Sequence, residues 1–272
     1  MIGLDVVFSR GCLLGLGALF TGLMGGPLAA NADVRPVPVQ ACAATPDLAR
    51  FTLPLTHVAE RIAAGQPVKI VAIGSSSTAG TGASSSASSY PSRLEVELRT
   101  RFPHLVVSVL NRGVAGEEAP QMVARFDQAV VAEKPDLVIW QVGTNALLHD
   151  TSMAAVADTV RLGLDRLKEL GADVIVIDPQ FAPKVIARPD TERMVDNLSA
   201  STKLENVNLF RRFAVMRYWN ETNHVPFEQF VTSDGLHMND WGYQCMAKLL
   251  AAAISDAATR IPQTAHVPTV AR

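Results

Sequence analysis

Val68-Lys-Ile-Val-Ala-Ile-Gly-Ser-Ser-Ser-Thr-Ala-Gly80 is an apolar, β-branched run that breaks into small hydroxyl residues at Gly74-Ser75-Ser76-Ser77-Thr78. Such a run reads as a buried strand ending in a loop that presents serines. In an open α/β sheet the ligand site lies outside the carboxyl ends of the strands. Taken alone, the stretch is open between a nucleophile turn and a flexible Ser/Gly connector. The rest of the chain has to decide.

Outward from it, four further short apolar runs recur: Leu105–Leu110, Asp136–Val142, Asp173–Ile177 and a shorter Val207–Phe210. They are continuous rather than alternating, as expected of parallel strands covered on both faces. Helical patterns fall between and after them, near 90–101, 119–133, 152–170, 190–203, 211–219 and 240–258. Strand–helix alternation of this kind predicts a three-layer α/β/α sandwich with right-handed crossovers. Upstream, Thr45-Pro46-Asp47 reads as an N-cap followed by proline at the first helical position, opening a helix to about Ala64. The Ser-rich stretch 83–89 reads as a loop.

The chain has 272 residues and a formal net charge of −2. That length accommodates a sizeable core, and that charge, with no basic run, excludes nucleic acid as the dominant partner. Residues 1–32 read as a signal peptide: Arg10, an apolar Gly11–Met24 stretch, and Ala30-Asn31-Ala32 as a cleavage site. Asp5 offsets Arg10, so the n-region is weak, and an uncleaved anchor is the competing reading. The apolar stretch is shorter than the roughly 20 residues a spanning helix needs. Cleavage leaves Asp33 at the N-terminus, an extended 33–44 segment, one domain over 45–259 and a loose tail at 260–272. An exported, periplasmic or secreted protein with no stable membrane anchor is the expectation. Cleavage also removes Cys12 and leaves Cys42 and Cys245. In an oxidising compartment they predict a disulfide tying the N-terminal segment to the last helix, with two separate buried thiols as the alternative.

The residues just after the strands carry the chemistry. They are Gly74–Thr78, then Asn111-Arg112-Gly113-Val114-Ala115-Gly116-Glu117, then Gly143-Thr144-Asn145, and, before the last helix, Ser233-Asp234-Gly235-Leu236-His237. Acyl transfer from an ester needs a nucleophile, a base, a group that orients the base, and donors for the oxyanion. A loop serine, His237, Asp234, and the Gly116 amide with the Asn145 side chain fill those roles. Each oxyanion donor is worth about 2.7–4 kcal/mol. The blander readings are a helix-capping His237, a turn Asp234, a turn Gly116 and a loop-bracing Asn145. Asp240 reads as the cap of the final helix, and Asp178-Pro179-Gln180 as a border of the site that shapes an acyl or sugar pocket. His57, His104, His149, His224 and His266 have no constellation around them, and Trp140, Trp219, Trp241 and Met216 read as core. A P-loop is excluded because no Lys follows the second glycine, and the G-x-S-x-G elbow is missing. No structural zinc spacing is present.

In these blocks the chain resembles the SGNH, or GDSL-type, hydrolase family. That family carries Gly-Asp-Ser, Gly, Gly-x-Asn and Asp-x-x-His in fixed order. Here Gly74-Ser75-Ser76, Gly116, Gly143-Thr144-Asn145 and Asp234-Gly235-Leu236-His237 match, over positions 74 to 237. The resemblance implies a flavodoxin-like parallel five-stranded sheet. It also implies Ser76 as nucleophile, with Ser75 and Ser77 the competing registers, and Asp234 and His237 as the rest of the triad. The oxyanion hole would be the Ser76 amide with Gly116 and Asn145. Two positions depart from the pattern: Ser75 replaces an Asp, and Ala146 replaces the Asp that often follows the Asn. The implied function is an exported serine esterase without metal or organic cofactor, working through an acyl-Ser76 intermediate. Its implied substrate is a short acyl ester, acetyl above all, on a carbohydrate or cell-envelope polymer. Lipase, thioesterase, acyltransferase and a catalytically silent glycan-binding protein are the alternatives.

Overall fold

A computed structural model describes residues 42–260. The signal-peptide reading, the start at Asp33, and the extended segment and tail, apart from Cys42–Ala44 and Arg260, lie outside the described residues. Five parallel strands form one sheet: β1 Val68–Gly74, β2 Val107–Gly113, β3 Leu137–Gln141, β4 Asp173–Ile177 and β5 Asn208–Phe210, in the order β2-β1-β3-β4-β5. This is the flavodoxin-like order, with its switch point between β1 and β3. Every residue of β3 is buried, as is all of β1 but Lys69, whereas only Val107 and Val109 of the edge strand β2 are. Coverage on both faces is why the inner strands read as unbroken apolar runs.

Helices Thr56–Ala63, Tyr90–Arg101 and Asp240–Thr259 pack together on one face of the sheet. Ala119–Ala124, Met153–Lys168 and Thr191–Leu204 pack on the other. Trp140 anchors the second layer. Its ring meets Phe126 edge-on at 5.4 Å, and its Nε1 donates to Met122 Sδ. Gly163 lets the helix approach this ring, because a Cβ there would come within 2.4 Å of Trp140. Trp219 and Met216 are likewise core, while Trp241 is only partly covered.

Four local expectations need correction. The helix predicted from Thr45 to about Ala64 is two helices, Pro46–Ala49 and Thr56–Ala63. Pro54 lacks a donor for a helical bond, and the intervening Leu53 instead exchanges backbone bonds with the Asn208 side chain at 3.1 and 3.0 Å. The 119–133 helix breaks at Arg125 into Ala119–Ala124 and Phe126–Ala129, followed by a 3₁₀ turn. The helix predicted over 211–219 stops at Arg217 and widens into a π turn. Asp240 is not the cap of the last helix. Asn239 is, its side chain accepting from Gly242 N at 3.1 Å, while Asp240 binds Ser84 N at 2.8 Å and Ser84 Oγ at 2.5 Å.

Cys42 and Cys245 are disulfide-bonded with Cα atoms 5.0 Å apart. No helix among the described residues is long and apolar enough to cross a membrane.

Candidate active site

The carboxyl ends of β1 and β3 bring the first and third blocks together. Gly74 ends β1, and Ser76 opens a single helical turn, Ser76–Ala79, closed by Gly80 in the left-handed region. Only a backbone without side chains fits beneath that turn. A Cβ on Gly113, at the end of the neighbouring β2, would lie 2.1 Å from Ala79 N. The three serines separate here. Ser75 and Ser77 are buried, and Ser75 Oγ donates to Gln141 Oε1 at 3.1 Å. Ser76 alone of the three meets the histidine, with its Oγ 2.9 Å from His237 Nε2.

His237 sits on a lasso closed by the Val231–Met238 bridge, and Thr232 N donates to His237 O at 2.8 Å. Inside it, Asp234 does two jobs. Its Oδ2 lies 2.5 Å from His237 Nδ1. Its Oδ1 accepts from Thr232 Oγ1, Leu236 N and His237 N at 2.7, 2.8 and 2.9 Å. Partial burial acts to raise its pKa. Those donors, the His237 ring foremost, outweigh it and hold the carboxyl well below the usual carboxylate range. The three side chains form a continuous chain from a hydroxyl through an imidazole to an ionised carboxylate.

Gly116 lies in a turn with φ +83°, and open space surrounds the position a Cβ would occupy. Asn145, in the short helix Thr144–Leu148, is buried, and its Nδ2 donates to Glu117 O at 2.9 Å. An amide nitrogen has two hydrogens, so one remains for a second acceptor. Cavities flank the site on two sides. One of about 500 Å³ is lined by Pro183, Phe227, Glu228, Thr232, Gly235 and Asn239. Another of about 340 Å³ is lined by Ala146, Leu147, Thr151, Arg188 and Arg193 among others. Among the described residues, no group of three or more His, Cys, Asp or Glu is arranged to hold a metal ion.

Two glutamines brace the turns: Gln180, expected at the border of the site, and Gln141, to which the sequence pattern assigns no role. Gln141 Oε1 accepts from Ser75 N, Ser75 Oγ and Thr78 Oγ1 at 3.0, 3.1 and 3.2 Å. Ser75 thus makes its bond to a neutral amide, where the family pattern has a carboxylate. Asp178 and Gln180, expected to border the site and shape a pocket, are both buried. Gln180 Oε1 accepts from Thr144 Oγ1 and Arg212 Nη2, each at 2.9 Å, and its Nε2 donates to Leu236 O at 3.1 Å. It ties the Asn145 turn to the histidine lasso. Burial pushes the Asp178 carboxyl up to about 7 against the opposing Phe213 amide and Arg212 charge, and its Oδ1 accepts from Phe213 N at 2.9 Å. A polar residue closing a buried apolar strand, as Gln141 does, is the signal that could have found the first brace. His57 and His149, read as isolated, have carboxylate partners: Asp136 at 3.0 Å and Glu118 at 2.7 Å.

Known structures share this architecture. A two-domain esterase (CEX) active on acetylated mannans matches with a TM-score of 0.66 at 18% identity, over 82% of this chain and 59% of that one. The chain therefore spans little more than half of that protein. Axe2, an acetylxylan esterase from Geobacillus stearothermophilus, matches as a catalytic mutant with a TM-score of 0.59 at 18% identity, over 69% of this chain and 94% of that one. A putative lipolytic protein of the G-D-S-L family from Desulfitobacterium hafniense DCB-2 matches at 0.57 and 19% identity, over 68% and 99%. At such identities the likeness establishes the fold. No curated protein matches the chain. The Non-GDSL lipase-like family, however, matches residues 41–260, a span that holds all five strands and all four blocks. The chain accordingly belongs to the Non-GDSL lipase-like family.

Proposed function

We propose that this protein is an exported serine esterase that removes short acyl groups, acetyl first among them, from a glycan. The observation that carries the reading is the unbroken sequence of contacts from Ser76 Oγ through His237 to Asp234. In the first half-reaction Ser76 Oγ attacks the acyl carbon and its proton passes to His237 Nε2. Asp234 keeps the Nδ1 hydrogen of His237 in place and balances the imidazolium charge. The carbonyl oxygen, now an oxyanion, is met by the amides of Ser76 and Gly116 and the free Nδ2 hydrogen of Asn145. Collapse breaks the ester C–O bond, and His237 returns its proton to the departing alcohol. Water repeats the sequence on acyl-Ser76 and releases the acid.

Support for a glycan substrate comes from the two neighbours named as esterases of acetylated mannan and of acetylxylan. The cavity beside Thr232, Gly235 and Phe227 provides space for a sugar ring next to the histidine lasso. Export rests on the signal-like residues 1–32 and agrees with the Cys42–Cys245 disulfide. The test is a series of acetyl, butyryl and octanoyl esters run beside acetylated xylan and mannan. The expected result is preference for the acetyl ester and release of acetate from a glycan. Preference for octanoyl ester with no acetate release contradicts it.

A further inference from the structure

Glu117 holds the oxyanion side of the site from three directions. Its main chain continues directly from Gly116, and its carbonyl accepts from Asn145 Nδ2 at 2.9 Å. Its carboxylate receives Arg125 Nε at 2.9 and 2.8 Å and Arg125 Nη2 at 2.7 Å. Arg125 is anchored in turn. Its Nη2 donates to Arg112 O, in β2, at 2.7 Å and lies 3.5 Å from Gly74 O, at the end of β1. Gly74 O also accepts from Val114 N at 3.0 Å, at the start of the Gly116 turn. The two side chains are only 21% and 15% exposed, so this is not a solvent-screened surface pair.

Within the turn itself the closing backbone bond is long, Glu117 N donating to Val114 O at 3.4 Å. Gly116 takes φ +83° and has nothing within 4 Å of a would-be Cβ, so no packing on that side braces the turn. A preorganised donor is effective only at the position the oxyanion will occupy, and displacement of about 1 Å can cost about 10²-fold. We propose that the Glu117–Arg125 ion pair is a positioning device that fixes the Gly116 amide and the Asn145 side chain relative to the Ser76 turn. The inference rests on the reading that Gly116 and Asn145 supply the oxyanion donors. Neither charged side chain meets the substrate. Both act through the groups they hold. The break in the predicted 119–133 helix falls at Arg125, where the chain leaves the helix and the guanidinium turns toward the strand ends.

The test is a set of variants assayed on an acetyl ester at a temperature where each is folded: Arg125→Ala, Arg125→Lys, Glu117→Gln, Asn145→Ala and the double Arg125→Ala/Asn145→Ala, with Ser76→Ala as control. Arg125→Ala is expected to lower kcat at least tenfold with KM within about twofold, and Arg125→Lys to recover part of the loss. In the Asn145→Ala background the same change should cost clearly less than it does alone, because one of the two donors it positions is already gone. Glu117→Gln keeps the carbonyl and nearly the same shape, so it carries the test if Arg125→Ala fails to fold. A lower Tm with unchanged kcat in Arg125→Ala or Glu117→Gln overturns the inference, as does full multiplication of the Arg125→Ala and Asn145→Ala losses. If Ser76→Ala keeps its activity, the reading of the site fails. If Ser76→Ala is inactive and the Arg125 and Glu117 variants match the wild type, only the positioning role fails.

Discussion

His237 Nε2 stands 2.9 Å from Ser76 Oγ although 161 residues separate them in the chain. The parallel sheet makes the meeting possible. β1 delivers Ser76 at its carboxyl end, and the Val231–Met238 lasso, seated just before the helix Asp240–Thr259, returns the histidine to the same end.

Asn145→Ala leaves the Ser76–His237–Asp234 contacts in place and, in the proposed mechanism, removes one oxyanion donor. The expected loss is about 10²–10³ in kcat, with KM little changed, since the donor acts where charge develops. Steady-state kinetics on an acetyl ester checks this. A loss confined to KM contradicts it.

Asp234 should stay ionised in acid strong enough to protonate an ordinary carboxylate. Burial raises the Asp234 pKa, but the bonds from His237, Thr232 and Leu236 more than reverse this and hold it well below the usual range. The carboxylate therefore stays ionised across weak acid. In the proposed mechanism that charge keeps the Nδ1 hydrogen of His237 in place while its Nε2 takes the serine proton. Asp234→Asn should lower the plateau of kcat/KM by about 10²–10⁴-fold, which a pH profile measures. The sign for stability follows from the depressed pKa. The contribution of Asp234 is present above its unfolded value of about 3.9 and is lost as pH falls below it. Melting curves of wild type and Asp234→Asn should therefore converge in acid.

Gly113→Ala should damage stability and activity together. Its new methyl would lie 2.1 Å from Ala79 N and 2.6 Å from Thr78 C, both backbone atoms of the Ser76–Ala79 turn. Overpacking of this kind costs about 1–3 kcal/mol. Thermal unfolding and kcat measured on the same preparation test it, and an unshifted Tm contradicts it.

Reduction of Cys42–Cys245 should lower stability and leave catalysis by the folded protein alone. The bond closes a loop across a sequence separation of 203 residues and involves none of Ser76, Asp234 and His237. Loss of a native disulfide typically costs about 2–5 kcal/mol. A fall in Tm under reductant, with kcat retained at 25 °C, is the expected pair of observations.

The sheet was legible because its strands are buried on both faces. Residues such as Ile70–Ile73 and Leu137–Trp140 have no solvent side to interrupt the apolar run, which left errors only at the strand ends. The four blocks were legible because each falls where a strand or a helix ends. What stayed hidden depends on contacts between distant segments. Three adjacent serines have the same local chemistry, and only the burial of Ser75 and Ser77, with His237 facing Ser76, separates them. Gln141 and Gln180 act by reaching across loops far apart in sequence, and no local spacing reports that. The broken helices at Pro54 and Arg125 follow the same rule, since tertiary partners such as Asn208 and Glu117 override the helical periodicity.

The central claim is that Ser76 is acylated with His237 as its base, and labelling by a fluorophosphonate probe, read by intact-protein mass and peptide mapping, tests it most directly. The expected result is one adduct on Ser76 in the wild type, none in Ser76→Ala, and labelling slowed at least about 10²-fold in His237→Ala. An adduct on Ser75 or Ser77, or a Ser76→Ala variant that still turns over acetyl ester at the wild-type rate, contradicts it.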